Sequence, residues 1–163
     1  MFETSVLIAQ TVSISAIAAW LATGVYDNIR YPENNELYTA QVMSIERMRQ
    51  EYPEEYARIA HRAINTRSIQ RAAFKLVVIA ELLTCLVLFA GVLGLLMAMI
   101  GTGSVETGRS LALLGATMFT GVWAGFLVVG NYFCYWFCHE GAQFTHYQMT
   151  LWGMANIILL AAV

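Results

Sequence analysis

Four stretches of about twenty residues, each almost free of charge, constrain this chain more than any other feature, because a helix of that length crosses about 30 Å of hydrocarbon. The first covers residues 4–25 and stops at Tyr26-Asp27-Asn28. The second covers residues 74–100, carries Glu81 as its only deep charge, and ends in Gly101-Thr102-Gly103-Ser104. The third covers residues 110–129 and ends at Gly130-Asn131, and the fourth covers residues 145–163, with no soluble domain expected after it. The pattern predicts an all-α, polytopic integral membrane protein: one domain over residues 1–163, with four transmembrane helices.

Composition supports the reading. Of 163 residues, 58% are hydrophobic and 12% charged, whereas soluble domains carry about 25% charged residues. A soluble protein this small has too much surface to hide so many apolar side chains. The net charge of −2 provides no basic field to collect phosphates, so nucleic acid is not expected as a partner. Cys85, Cys134 and Cys138 do not form a disulfide framework by count or spacing. Glu3 is the only charge ahead of the first apolar run. A signal peptide opens with a basic segment and has a shorter apolar core, so this run is expected to be a retained helix.

Most of the charge lies in residues 26–71. Tyr52-Pro53-Glu54-Glu55 is a helix start signal, with proline at a first helical position and acids in the first turn. From there Tyr56, Ile59, Ala60, Ala63 and Ile64 share one face, and Glu54, Arg58 and Arg62 another. An earlier segment, 36–48, has a weaker face of Leu37, Ala40, Met43, Ile45 and Met48. Both segments read as amphipathic helices against the membrane or the bundle, or as a solvated hairpin covering the ends of the spans. Arg30, Arg47, Arg49, Arg58, Arg62, Arg67, Arg71 and Lys75 lie between the first two spans, and only Arg109 lies on the other side. The positive-inside rule then puts this loop in the cytoplasm and both termini outside.

Few residues suggest chemistry. Glu81 is the main candidate, since a carboxylate in hydrocarbon faces the bundle or a cavity and marks a site by default. A helix beginning near Phe74 places it about 10 Å along the axis. A proton relay and a structural carboxyl bonded to Ser13, Ser15 or Asn131 are the alternatives. Residues 130–141 hold the densest polar and aromatic cluster, including Asn131, His139 and Glu140; tyrosine and tryptophan gather at membrane interfaces, which accounts for most of it. Within it, Cys134, Cys138 and His139 resemble a c-type haem attachment site but have one residue too many for C-x-x-C-H, and the loop falls on the cytoplasmic side. No cofactor is expected, and no histidine pair at mid-depth offers axial haem ligands. His139, Glu140 and His146 lack a recurring metal-ligand spacing. Gly121 and Gly125 form a G-x-x-x-G, which lets helices approach closely within the bundle or against a partner.

Together, residues Gln41-Val42-Met43-Ser44-Ile45, Arg62-Ala63-Ile64, Glu81 and Gly130-Asn131-Tyr132-Phe133 with Trp136 resemble a bacterial family described as predicted small integral membrane protein, domain of unknown function 2165. The resemblance covers nearly the whole chain. The chain departs from the family pattern at Asn131, which replaces an acid, at His61, which replaces a tryptophan, and at Phe137 and Cys138, where polar residues would stand. The resemblance implies a four-helix membrane fold and no established activity, and the haem-like cysteines fall outside it. The expected function is non-enzymatic: an accessory or assembly subunit of a larger respiratory or photosynthetic membrane complex, with lipids and partner subunits as its contacts. A transporter or channel component using Glu81, and a haem-bearing electron-transfer subunit, are the alternatives.

Overall fold

Each apolar stretch falls largely within a long helix in the computed structural model, which describes residues 1–162. These helices are α1 (Phe2–Arg30), α5 (Arg67–Met99), α6 (Val105–Tyr132) and α8 (Glu140–Ala161). Between α1 and α5 the chain forms α2 (Pro32–Met43), α3 (Glu46–Glu51), α4 (Pro53–Ile59) and a 3-10 turn (Ala60–Arg62). A single-turn helix, α7 (Tyr135–Cys138), joins α6 to α8. Three of the long helices, α1, α5 and α6, are long and apolar enough to cross a membrane. By the same measure α8 falls short, because Gln143, His146, Gln148 and Asn156 interrupt its apolar sequence. Length and composition by themselves single out three spans and do not establish the fourth expected one, and Val163, in the expected fourth range, lies outside the described residues.

The long helices pack in a ring, with α5 between α1 and α6, and α8 between α6 and α1. The tightest seam joins α5 to α6. A Cβ on Gly91 would come within 2.6 Å of the Ala112 backbone, one on Gly94 within 2.9 Å of Gly108, and one on Gly115 within 2.9 Å of Leu88. Such approach is possible only where side chains are missing, and it substitutes van der Waals contact for the hydrophobic drive that lipid removes. Gly153 of α8 similarly meets Phe119 and Thr120 of α6. Gly121 and Gly125 take no part: nothing lies within 4 Å of a Cβ at either position. The G-x-x-x-G recognised in the sequence is therefore not the seam that closes the bundle. In the middle, Trp20 meets Trp123 edge-on at 5.2 Å and Phe119 at 6.3 Å.

Polar side chains pin the open end of the ring. Ser13 donates to Asn156 Oδ1 at 2.8 Å, Gln10 to the Leu159 carbonyl at 3.0 Å, and Arg109 to Gln10 Oε1 at 2.9 Å. At the other end α5 outruns α1. Thr11 faces Met99 at one end of their contact and Asn28 faces Glu81 at the other, so α5 projects beyond Glu81 by its first turns. The 33-residue α5 is about 50 Å long, more than a bilayer core requires. Glu81 consequently stands level with the last turn of α1, nearer the end of the bundle than a span starting at Phe74 implies.

The loop folds back onto this projection. α1 ends before Pro32, since the residue preceding proline is driven out of the helical region, and α2 then packs along α5. Gln70 donates to the Ile64 carbonyl at 2.7 Å and to that of Ala40 at 3.4 Å, while Arg67 and Arg71 grip Glu36 at 2.6 and 3.1 Å. The helix expected over 36–48 breaks at Ile45, which has a left-handed backbone (φ 51). That conformation costs a branched residue about 1–2 kcal/mol. Burial offsets it: Ala40, Met43, Ile45 and Met48 are sequestered, the last three with Phe133 and Cys138 in a second core. Leu37, expected on the same face, is exposed. Proline 53 opens α4 as its sequence predicts, but the helix stops at Ile59 and tightens into the 3-10 turn, short of Ala63 and Ile64.

The seam gives a direct test. Gly91→Val puts its branched side chain into the Ala112 backbone and should lower the thermal unfolding midpoint in mild detergent, costing about 1–3 kcal/mol. Gly121→Val, with open space around it, should change stability by no more than about 0.5 kcal/mol.

Candidate functional site

Where α2 bridges the projecting ends of the helices, a chamber of about 330 Å³ remains between α1, α2, α5, α6, α7 and α8. Glu81 is on its wall, only 5% exposed. Asn28, from the last turn of α1, donates through Nδ2 to Glu81 Oε2 at 2.7 Å, and Asn35 of α2 donates to Asn28 Oδ1 at 2.5 Å. This asparagine chain ties the loop to the bundle through the carboxyl group. Ser13, Ser15 and Asn131, the partners expected for Glu81, do not serve it. Ser13 lies far down α1 against Asn156, and Asn131 is exposed at the end of α6.

The opposite wall comes from the aromatic cluster of residues 130–141. After α6, Cys134 adopts a left-handed backbone (φ 52), and this reverses the chain so that α7 folds under the end of α6. The ring of Tyr135 lies flat on Gly130, where a Cβ would come within 2.7 Å. Tyr135 also stacks on His146 of α8 (5.8 Å, 23°), and His146 lies 4.8 Å from the Phe126 ring and 5.4 Å from Trp123. Burial, with the nearby Tyr38 hydroxyl, pushes Tyr135 up to about 12, so it stays un-ionised. Three buried polar atoms here lack a hydrogen-bond partner: Trp123 Nε1, the Tyr135 hydroxyl and His146 Nδ1. Buried polar atoms are seldom left so, because each costs about 1–3 kcal/mol.

The remaining residues singled out in the sequence are dispersed. His139 caps the start of α8, is 7% exposed, and meets the Tyr38 hydroxyl through Nδ1 at 3.1 Å. Burial, reinforced by Arg47, holds its pKa below the usual imidazole value against the opposing pull of Glu140 and Glu51. Glu140 is exposed. Cys138 is buried in the second core; burial first, then Glu51, raises its pKa, so it remains a thiol. Its backbone carbonyl accepts from Arg47. Cys134 is half-buried with the Arg62 guanidinium 3.7 Å from its sulfur. His61 is exposed in the 3-10 turn. Among the described residues, no three metal-ligating side chains gather.

Sequence reading did not anticipate Asn28, Asn35, Tyr38, Trp123, Tyr135 or His146 as neighbours of Glu81. They come from five separate helices, and nothing in their spacing links them. Asn28 alone carried a signal: an amide at the end of an apolar run is the type of group that a carboxyl on the next helix can use.

The geometry defines a helical integral membrane protein with an aromatic-walled chamber, holding one carboxyl group, at one end. The family model for predicted small integral membrane protein (DUF2165) matches residues 6–162, and the chain belongs to that family. No curated protein and no solved structure matches it.

His139 makes the capped end acid-sensitive. Its folded-state pKa is below the 6.5 of the free side chain, so between the two values the unfolded chain binds more protons. The stability it confers is present above pH 6.5 and is lost as pH falls toward the lowered value. Thermal midpoints in detergent should fall between pH 7 and pH 5, and His139→Gln should flatten that part of the profile; an unchanged slope would remove His139 as its source.

Proposed function

We propose that this chain is a four-span, non-enzymatic subunit that packs against a larger complex, respiratory or photosynthetic, in a bacterial cytoplasmic membrane. α8 serves as the fourth span. Its low average apolarity reflects inward-facing groups such as Asn156, 1% exposed and bonded to Ser13, whereas Phe144, Leu151, Met154 and Ile158 face outward. Lipid meets only that outer stripe, which Gln148 alone interrupts with an amide. The bases of residues 26–71 support a cytoplasmic position for the loop and its chamber.

The observation that carries the subunit reading is the unfilled stripe on α6. Leu114, Gly121 and Val128 are exposed, and both Gly121 and Gly125 have empty space where a Cβ would stand. A G-x-x-x-G unused within the bundle leaves a shallow groove for a partner's helix. Native membranes solubilised in mild detergent and separated by size should show the chain migrating with a larger complex, and Gly121→Leu should release it. Migration only as a free 18.1 kDa chain would sink the proposal.

The chamber favours a second reading, a component of a small transporter or channel that uses Glu81. Glu81 lines a cavity between the bundle and its cap, where a carboxyl can meet a moving ion or proton. In proteoliposomes, Glu81→Gln should abolish proton or cation flux while the variant keeps its unfolding midpoint within a few degrees. Equal flux in variant and wild type would exclude this reading.

A further inference from the structure

We infer that the chamber binds an organic ammonium ion, a small cation with an apolar body, through the Glu81 carboxylate and the aromatic walls around it. Charge is the first ground. Glu81 is the one charged side chain among the chamber's lining residues, which include no lysine or arginine. Asn28 occupies Oε2, and among the described residues no donor meets Oε1 and no salt bridge includes this carboxyl. A carboxylate removed from water needs a positive partner or strong hydrogen bonds on both oxygens. The protein supplies one bond and no cation. An ammonium ligand supplies what is missing, whereas an anionic ligand meets a like charge and finds no base to hold it.

The walls make the second ground. Trp20, Phe74, Trp123, Phe126, Phe133 and Tyr135 line the space. Aromatic faces attract ammonium groups through their quadrupoles, most strongly where water is excluded, and such rings grip quaternary ammonium ions that offer no N–H. A metal ion fits poorly here, since one carboxyl and apolar rings cannot replace its hydration shell. Volume is the third ground: about 330 Å³ falls at the small end of ligand pockets and admits a benzyl- or alkylammonium rather than a drug-sized molecule.

The inference rests on the chamber that also motivates the transport reading, but it requires binding and not movement, so the two fail separately. Binding without flux removes transport and keeps the site. The full-length protein in dodecyl maltoside is titrated with benzyltrimethylammonium and with benzenesulfonate, an anion of similar size, by calorimetry and by the fluorescence of Trp20 and Trp123. The expected result is saturable binding of the cation only, weakened about ten- to a hundredfold by Glu81→Gln, as expected when a charged hydrogen-bonding partner is lost. Equal binding of the anion, unchanged cation affinity in Glu81→Gln, or no saturable binding at millimolar concentrations would overturn it. If Glu81→Gln does not fold, the wild-type chain carries the test: benzyltrimethylammonium, but not benzenesulfonate, should slow the reaction of Glu81 with dicyclohexylcarbodiimide, read by peptide mass. Labelling at the same rate with and without the cation would overturn the assignment. Competition by phosphatidylethanolamine added to the micelles identifies a lipid headgroup amine as the occupant; its absence identifies a free amine.

Discussion

The close approach of α5 and α6 underlies the rest of the arrangement. In lipid, helices gain nothing by hiding apolar side chains from their surroundings, so association must come from contact area and from polar bonds. Gly91, Gly94, Gly108, Ala112 and Gly115 supply the first by letting the two backbones meet. The pair then presents a surface on which α1 and α8 close the ring, and the second contribution appears where they do so: Ser13 with Asn156, Gln10 with Leu159 and Arg109. Both contributions are strongest in the half of the bundle away from the loop. At the loop end the helices run past α1 and leave a space that the loop must cover.

The chamber follows from that mismatch of lengths. Because α1 stops at Arg30 while α5 begins at Arg67 and continues past it, Glu81 is exposed to whatever lies over the end of α1. α2 covers it, fixed by Glu36 to Arg67 and Arg71 and by the buried methionines against Phe133. The surface ion pairs contribute little individually. The apolar plug contributes more, and it is substantial enough to hold Ile45 in a left-handed backbone. What remains under the cap is a space with aromatic walls and one carboxyl, held at the asparagine chain that joins cap to bundle. Part of the aromatic cluster after α6 joins the other wall: Cys134 turns the chain under the bundle so that Phe133 and Tyr135 face the space with His146, whereas Tyr132 and Trp136 stay exposed.

The unused glycine pair on α6 and the chamber are separate features with separate consequences. The first is a groove on the outside of the ring. The second lies inside it. A partner helix on the groove would touch the face of α6 opposite to the one that carries Trp123, so a subunit role and a ligand site are compatible in one small protein.

The sequence by itself determined the helices and the class. Uncharged runs of about twenty residues admit little else, prolines 32 and 53 mark helix starts locally, and Glu81 stood out because a carboxyl in an apolar run is rare. Helix breaks at Ile45 and Cys134 were not legible, since neither residue favours a left-handed backbone and each is held there by packing from distant parts of the chain. Nor was it legible which glycines form the seam: G-x-x-x-G is a local pattern, whereas the pairs that matter join α5 to α6 across a turn. Only the tertiary structure decided that Glu81 pairs with Asn28 and shares a chamber with Trp123, Tyr135 and His146. Those contacts depend on how far each helix extends and how it is rotated against its neighbours, and such quantities are set by packing between helices rather than by any residue's own preference.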